Sequence, residues 1–194
     1  MQQPGKHYIE DKEFEKINFA EEELPKGEYD RCVFTGCVFT ETTLSGSIFS
    51  ECTFTGCNLS MSKLSRTTLK EVTFKDSKLL GVRFDNCSNF LFTVHFDNCM
   101  LNLSSFYKRN LRKTIFRNCS MRESDLCEAD LTSALLDNCD LSGALFERTI
   151  LEKADLRTAY NFNIDPEQNK ITKARFSVNG LPGLLARYNI EIER

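Results

Sequence analysis

Nine cysteines and two histidines are the residues of this 194-residue chain best suited to chemistry. Thiols can ligate zinc, pair as disulfides or attack as nucleophiles, and position decides among these. A zinc site gathers its ligands on one tetrahedral point, often with histidine. Here Cys32 and Cys37 repeat as Cys52 and Cys57, Cys99 recurs as Cys119 and Cys139, and His7 and His95 stand apart from them all. Such regular spacing is what packing requires, and a buried free cysteine behaves as a small hydrophobe. The chain has no Gly-rich phosphate loop, no H-E-x-x-H and no nucleophile elbow. Its acidic residues are scattered and do not converge on a pocket. The expectation is a non-enzyme with no catalytic, cofactor-binding or metal-binding residues, no cofactor and no small-molecule substrate.

What positions the cysteines is a five-residue period. Every fifth residue from Phe14 through Phe34, Phe54 and Phe74 to Phe84 is Phe, Leu or Tyr. The phase fails at Asn89 and resumes at Leu91, running through Phe96, Phe116 and Leu136 to Leu156, with every member large and apolar. The residue two before each of these is small in most quintets; Cys32, Cys52, Ser62, Cys99, Cys119, Ala129 and Cys139 belong to that column. Arg109 also falls in this column, and Cys127 is the one cysteine outside it.

Five fits neither the helix period of 3.6 nor the strand period of 2. It fits a chain that turns a square corner after every quintet, with four sides making one coil of about 20 residues that stacks on the next at about 4.8 Å. Phe14, Phe34, Phe54 and Phe74 then lie above one another, as do Cys99, Cys119 and Cys139. The quintets Ala129-Asp130-Leu131-Thr132-Ser133 and Ala154-Asp155-Leu156-Arg157-Thr158 resemble the A-(D/N)-L-x-x signature of the pentapeptide-repeat family. The resemblance implies an all-β fold, a right-handed quadrilateral β-helix of about 7 coils. Its handedness comes from the family and not from the spacing.

The domain boundaries follow. Residues 1–11 are expected to cap one end, 12–160 to form the β-helix with a phase slip at 85–91, and 161–194 to hold a last partial coil, a short helix and a short strand. The slip reads as a two-residue bulge or as a recognition loop. Open β-helix ends expose strand edges and need covering. Leu181, Leu184, Leu185, Tyr188, Ile190 and Ile192 can plug their own end, or pair with a second copy in the homodimer that the family resemblance implies.

Charge narrows the partner. Lys+Arg number 25 against 28 Asp+Glu, net −3, which excludes a strongly basic nucleic-acid binder. The charge is uneven: residues 1–30 carry 9 acidic against 4 basic, net −5, while Lys108, Arg109, Arg112, Lys113, Arg117 and Arg122 make a basic stretch. In the register of coils, Asp97, Arg117, Asp137 and Arg157 form one column of alternating sign, and Lys108, Glu128 and Arg148 another. No apolar run spans a bilayer, and the opening residues lack a secretory stretch, so no membrane contact and a cytoplasmic location are expected. His95, on the outside of its quintet, reads as a surface residue.

Function must then lie on the rod's surface. The Tyr29–Phe54 stretch, the break near Asn86–Phe96 and the C-terminal Leu-Leu…Tyr-Asn-Ile-Glu-Ile end resemble the quinolone-resistance (Qnr) group of the family. That resemblance implies a dimeric, DNA-mimicking binder of type II topoisomerase, DNA gyrase or topoisomerase IV, which protects the enzyme from quinolones or modulates it. The long loops typical of that group are absent here. The alternative is a general interaction scaffold for another protein.

Overall fold

The computed structural model describes residues 7–193. The chain winds as a β-helix of short parallel strands: β1 His7–Glu10, β2 Glu13–Glu15, β3 Gly27–Asp30, β4 Val33–Thr35, β5 Ile48–Ser50, β6 Thr53–Thr55, β7 Thr68–Lys70, β8 Val72–Lys75, β9 Val94–Asp97, β10 Ile115–Arg117 and β11 Leu135–Asp137. One face is the sheet β1-β3-β5-β7, and another is the sheet β2-β4-β6-β8-β9-β10-β11. The remaining sides stack through single parallel bridges such as Asn58↔Lys78 and Lys78↔Met100.

Register follows the large apolar column. Phe14 pairs with Phe34, Phe34 with Phe54 and Phe54 with Phe74, each 20 residues on. Phe74 pairs with Phe96, a step of 22, and the 20-residue step returns with Phe96↔Phe116 and Phe116↔Leu136. The rings stack face to face: centroids are 4.7 Å apart for Phe14–Phe34, 4.6 Å for Phe34–Phe54, 5.1 Å for Phe54–Phe74, 5.3 Å for Phe74–Phe96 and 5.2 Å for Phe96–Phe116. Rings on adjoining sides meet these edge-on, as Phe39 and Phe49 meet Phe54. Both geometries suit the aromatic quadrupole. Leu136 and Leu156 continue the axis fully buried.

The corners explain the five-residue pitch. Arg31, Glu41, Glu51, Met61, Arg66, Glu71 and Asp76 all have φ between 49° and 59°, and the corners between them are glycines. The pattern resumes from Asn98 to Lys153. A left-handed residue costs a non-glycine about 1–2 kcal/mol. Here most corner N–H groups are bonded to the coil above, for example Met61 N–H to the Leu80 carbonyl at 2.8 Å and Glu51 N–H to the Lys70 carbonyl at 2.8 Å. Stacking therefore offsets a strain that an isolated coil could not carry.

At the ends the chain departs from expectation in two places. The segment expected as a cap over 1–11 is, in its described part, the outermost strand: His7–Glu10 runs parallel to Gly27–Asp30 in the sheet. Its edge is trimmed by charge, with Arg31 donating to Asp11 at 2.8 Å, to Asp30 at 2.6 Å and to Glu10. At the other end a single-turn helix, α1 (Leu181–Leu185), lies between 3-10 turns at Val178–Gly180 and Ala186–Tyr188. No strand forms over residues 189–193.

Helix α1 is held to the last coil by few contacts. Ile164 N–H donates to the Gly183 carbonyl at 2.9 Å, and a Cβ at Gly183 would lie 2.3 Å from the Phe162 carbonyl oxygen. Arg187 donates to Asp165 at 2.7 Å and to Glu167 at 2.8 Å, and the Tyr188 hydroxyl donates to Glu167 at 2.9 Å. The Arg187 hydrogen bond holds the Asp165 carboxyl below the usual carboxylate range. A carboxyl whose pKa falls on folding stabilises above its unfolded value, near ~3.9, and loses that contribution as pH drops through its folded value. Hydrogen exchange read by mass spectrometry should show segment 178–190 losing protection in that acid window while the coils between Phe14 and Leu156 keep theirs. Simultaneous loss throughout the chain would contradict the assignment.

Candidate interaction surface

The interior is filled by side chains among the described residues. Tyr29, Phe34, Phe49, Phe106, Phe116, Leu126 and Leu151 are fully buried, and the small column packs between them. Eight of the nine cysteines are buried and free, and Cys127 is half-buried and free. Cys52 donates its thiol to the Tyr29 carbonyl at 3.3 Å, and Cys57 to that of Phe34 at 3.3 Å. Burial pushes the Cys52 and Cys57 thiols up to about 12, so a nucleophilic thiolate is disfavoured at neutral pH. Cys99, Cys119 and Cys139 lie in the same kind of column, at 0–2 % exposure.

Two polar residues lie deeper than their sequence context implies. His95 is half-buried; the Ile115 N–H donates to its Nδ1 at 3.1 Å, and burial pushes its pKa below the ordinary histidine value. Its Nδ1 therefore serves the sheet as an acceptor from the partly exposed outer face. Arg109 is only 3 % exposed, so it leaves the basic stretch and enters the core. Its guanidinium donates to the Cys87 carbonyl at 3.0 Å, the Ser88 carbonyl at 2.7 Å and Asn89 Oδ1 at 2.6 Å, and lies 4.2 Å over the Phe92 ring. The inserted residues of the phase slip would otherwise leave buried carbonyls unpaired, which is costly. Arg109 occupies a small-residue position because its guanidinium reaches back to the break on the preceding coil. Beside it, Phe90 and Leu91 are exposed at 69 % and 51 %.

The outer columns are largely self-neutralised. Lys108 and Arg148 both reach Glu128, at 3.5 and 2.9 Å, and Arg117 reaches Asp137 at 3.4 Å. Arg112 pairs with Asp130 at 3.0 Å, and Asp155 takes Arg157 at 2.7 Å and Arg175 at 3.2 Å. Arg157 therefore turns to its own coil and not to Asp137, whose place Thr158 takes with a 2.8 Å hydrogen bond. Exposed pairs of this kind contribute about 0–1 kcal/mol each. Their main effect is to leave the upper coils a mosaic of paired signs.

Exposed apolar surface gathers in three places. The break carries Phe90 and Leu91. The C-terminal end carries Leu181, Tyr188, Ile190 and Ile192, all about half exposed, together with Val178 at 81 %; Leu184 packs on the core and Leu185 is half-buried. Mid-rod, Met61, Leu80, Met100 and Leu103 stand out at 39–55 % exposure. Sequence periodicity could have flagged this third group, since all four are large apolar residues at outward positions of their quintets.

A filled parallel β-helix whose chemistry is confined to its surface is a repeat scaffold. The pentapeptide repeat family, described as "Pentapeptide repeat region", matches residues 8–84 and 89–160, and the chain belongs to it. The residues between the two matches are those at the phase slip. No curated protein sequence gives a significant match. Among solved structures, a trypsin-treated QnrB1, described as a plasmid-mediated fluoroquinolone resistance protein, superposes with a TM-score of 0.51 at 16 % identity, covering 97 % of this chain and 100 % of that one. HetL, a pentapeptide repeat protein involved in heterocyst differentiation regulation from the cyanobacterium Nostoc sp. strain PCC 7120, gives 0.33 at 16 % identity, covering 88 % and 83 %. At these identities the likeness concerns the fold.

Proposed function

We propose that this rod is a non-catalytic binder of a protein partner, and that the partner is a type II topoisomerase, DNA gyrase or topoisomerase IV, which it protects from quinolones or modulates. The observation that carries the binding reading is the division between a filled axis and an apolar-studded exterior: recognition by the surface is what this architecture offers. The choice of partner is supported by the sequence resemblance to the quinolone-resistance group and by the fluoroquinolone resistance that QnrB1's description reports for that protein. Imitation of duplex DNA, which wants an extended negative field, would draw on the acidic first coils, where Glu21, Glu22, Glu23 and Glu41 are exposed. The active unit is a homodimer joined through Leu181, Tyr188, Ile190 and Ile192, whose apolar surface a second copy would cover. The rod works in the cytoplasm and binds neither nucleic acid nor membrane directly; among the described residues no helix is long and apolar enough to cross a bilayer.

A second reading, a scaffold for a different protein, is favoured by the paired charges of the upper coils, which interrupt any negative stripe there. Gyrase supercoiling with and without ciprofloxacin separates the two. The topoisomerase reading expects micromolar protein to relieve drug inhibition or to alter supercoiling itself. An unchanged gel in both conditions leaves the scaffold reading and removes the topoisomerase.

A further inference from the structure

Most of the rod's outward positions are polar, and the mid-rod group departs from this on three successive coils of one side. Met61 N–H bonds to the Leu80 carbonyl at 2.8 Å and Gly81 N–H to the Asn102 carbonyl at 2.9 Å, so Met61, Gly81 and Leu103 stack in one corner column with Leu80 beside them. A Cβ at Gly81 would lie 2.5 Å from Met61 Sδ. The thioether therefore lies across the glycine and bridges the gap between coils, making the apolar row continuous from Met61 to Leu103. Met100 adjoins it, directly above Lys78.

The row has marked limits. Glu41 and Glu123 continue the same corner column beyond Met61 and Leu103, and the Glu123 side chain runs onward over Gly143, away from the row. Within those limits the neighbouring charges are cations. Lys78 lies on one flank and Lys63 on the other, both exposed and neither ion-paired among the described residues, on a rod where most arginines and many carboxylates are paired. Arg122, at the upper edge, comes only within 3.9 Å of Asp140.

We propose that this row is the seat of a partner protein's amphipathic α-helix, laid along the rod axis with carboxylates on its flanks. The inference rests on the reading of the rod as a protein binder and identifies the binding side and the element bound. Coil spacing of about 4.8 Å is close to the helix pitch of about 5.4 Å, so apolar side chains one turn apart meet successive coils. Methionine and leucine supply adaptable contact surface, and Lys63 and Lys78 receive the flanking carboxylates. Such helix-in-groove recognition reads out apolar anchors at i, i+3, i+4 and i+7.

The test uses the full chain and a fluorescein-labelled, capped peptide of about 15 residues, long enough for helix formation, with leucines on one stripe and glutamates on both flanks. Its counterparts carry lysine for glutamate, or the same residues scrambled. Anisotropy titrations should show saturable binding of the acidic helix, no binding of the lysine or scrambled peptides, and a loss of roughly tenfold or more in affinity, about 1.4 kcal/mol or more, for the double variant Leu80→Gln/Leu103→Gln. Both substitutions lie on exposed side chains, so an unchanged melting temperature confirms that the variant is folded. Equal affinity of the double variant, equal binding of acidic and basic peptides, or no saturation by the acidic peptide overturns the proposal. The supercoiling assay reads the partner separately: drug protection with no peptide binding removes this seat and keeps the topoisomerase.

Discussion

Phe54→Ala destabilises the rod by about 3–5 kcal/mol, the range for truncating a buried phenylalanine. The ring is 1 % exposed and stacked between Phe34 and Phe74, with Phe39 and Phe49 edge-on, so no neighbour can swing in to fill the space. The neighbours are themselves stacked in registered columns, and a cavity at one level weakens the interface between two coils on which both depend. Cys119→Ala should cost far less, about 1 kcal/mol, because it removes one small group from a column that already accepts alanine at 129 and 134. Urea denaturation of both variants gives the ranking. A larger loss for the cysteine would reverse the assignment of large and small columns.

Arg109→Ala is the second large effect, at about 3 kcal/mol. It strips the Cys87 and Ser88 carbonyls of their donor, at about 1–3 kcal/mol for a buried group left without a partner, while exposed Asn89 turns to water. Arg109→Met, which keeps a stem against Phe92 but no donors, should recover only part of the loss. Because the arginine braces the break, both variants should become cleavable within 88–91 by a protease under conditions that leave the parent intact. Resistance to cleavage with unchanged stability would show that the bulge holds itself.

The axis was legible in the sequence because it repeats one physical demand: each side of the square must bury one large residue and one small one. Phe14 to Phe84 and Phe96 to Leu156 supply the large residue at every step, and of the two readings of the phase change the longer coil agrees with the 22-residue step from Phe74 to Phe96. The corners were not legible. Their residues share a backbone angle but no side-chain type, since interchain-like hydrogen bonding between coils, and not residue identity, stabilises a positive φ at Arg31, Glu51 or Met61. Arg109 was legible only as a member of its column; that it turns inward depends on carbonyls that the break itself creates. His95 is outward as expected, but an outward position need not be free of its neighbouring coil, and the Ile115 N–H donates to it. The alternation at Ile190 and Ile192 suggested a strand, but alternation alone forms none without a partner edge to pair with, and the segment is irregular.

A filled axis makes the surface the seat of recognition, and native thiol labelling tests that packing most directly. The folded protein treated with a maleimide at mildly alkaline pH, followed by intact mass, should take up one label at Cys127 and hold the other eight of its nine cysteines unmodified until denaturant is added. Rapid labelling of Cys32, Cys57, Cys99 or Cys139 in the folded state would mean that the thiols do not line the axis, and the square winding would fall with them.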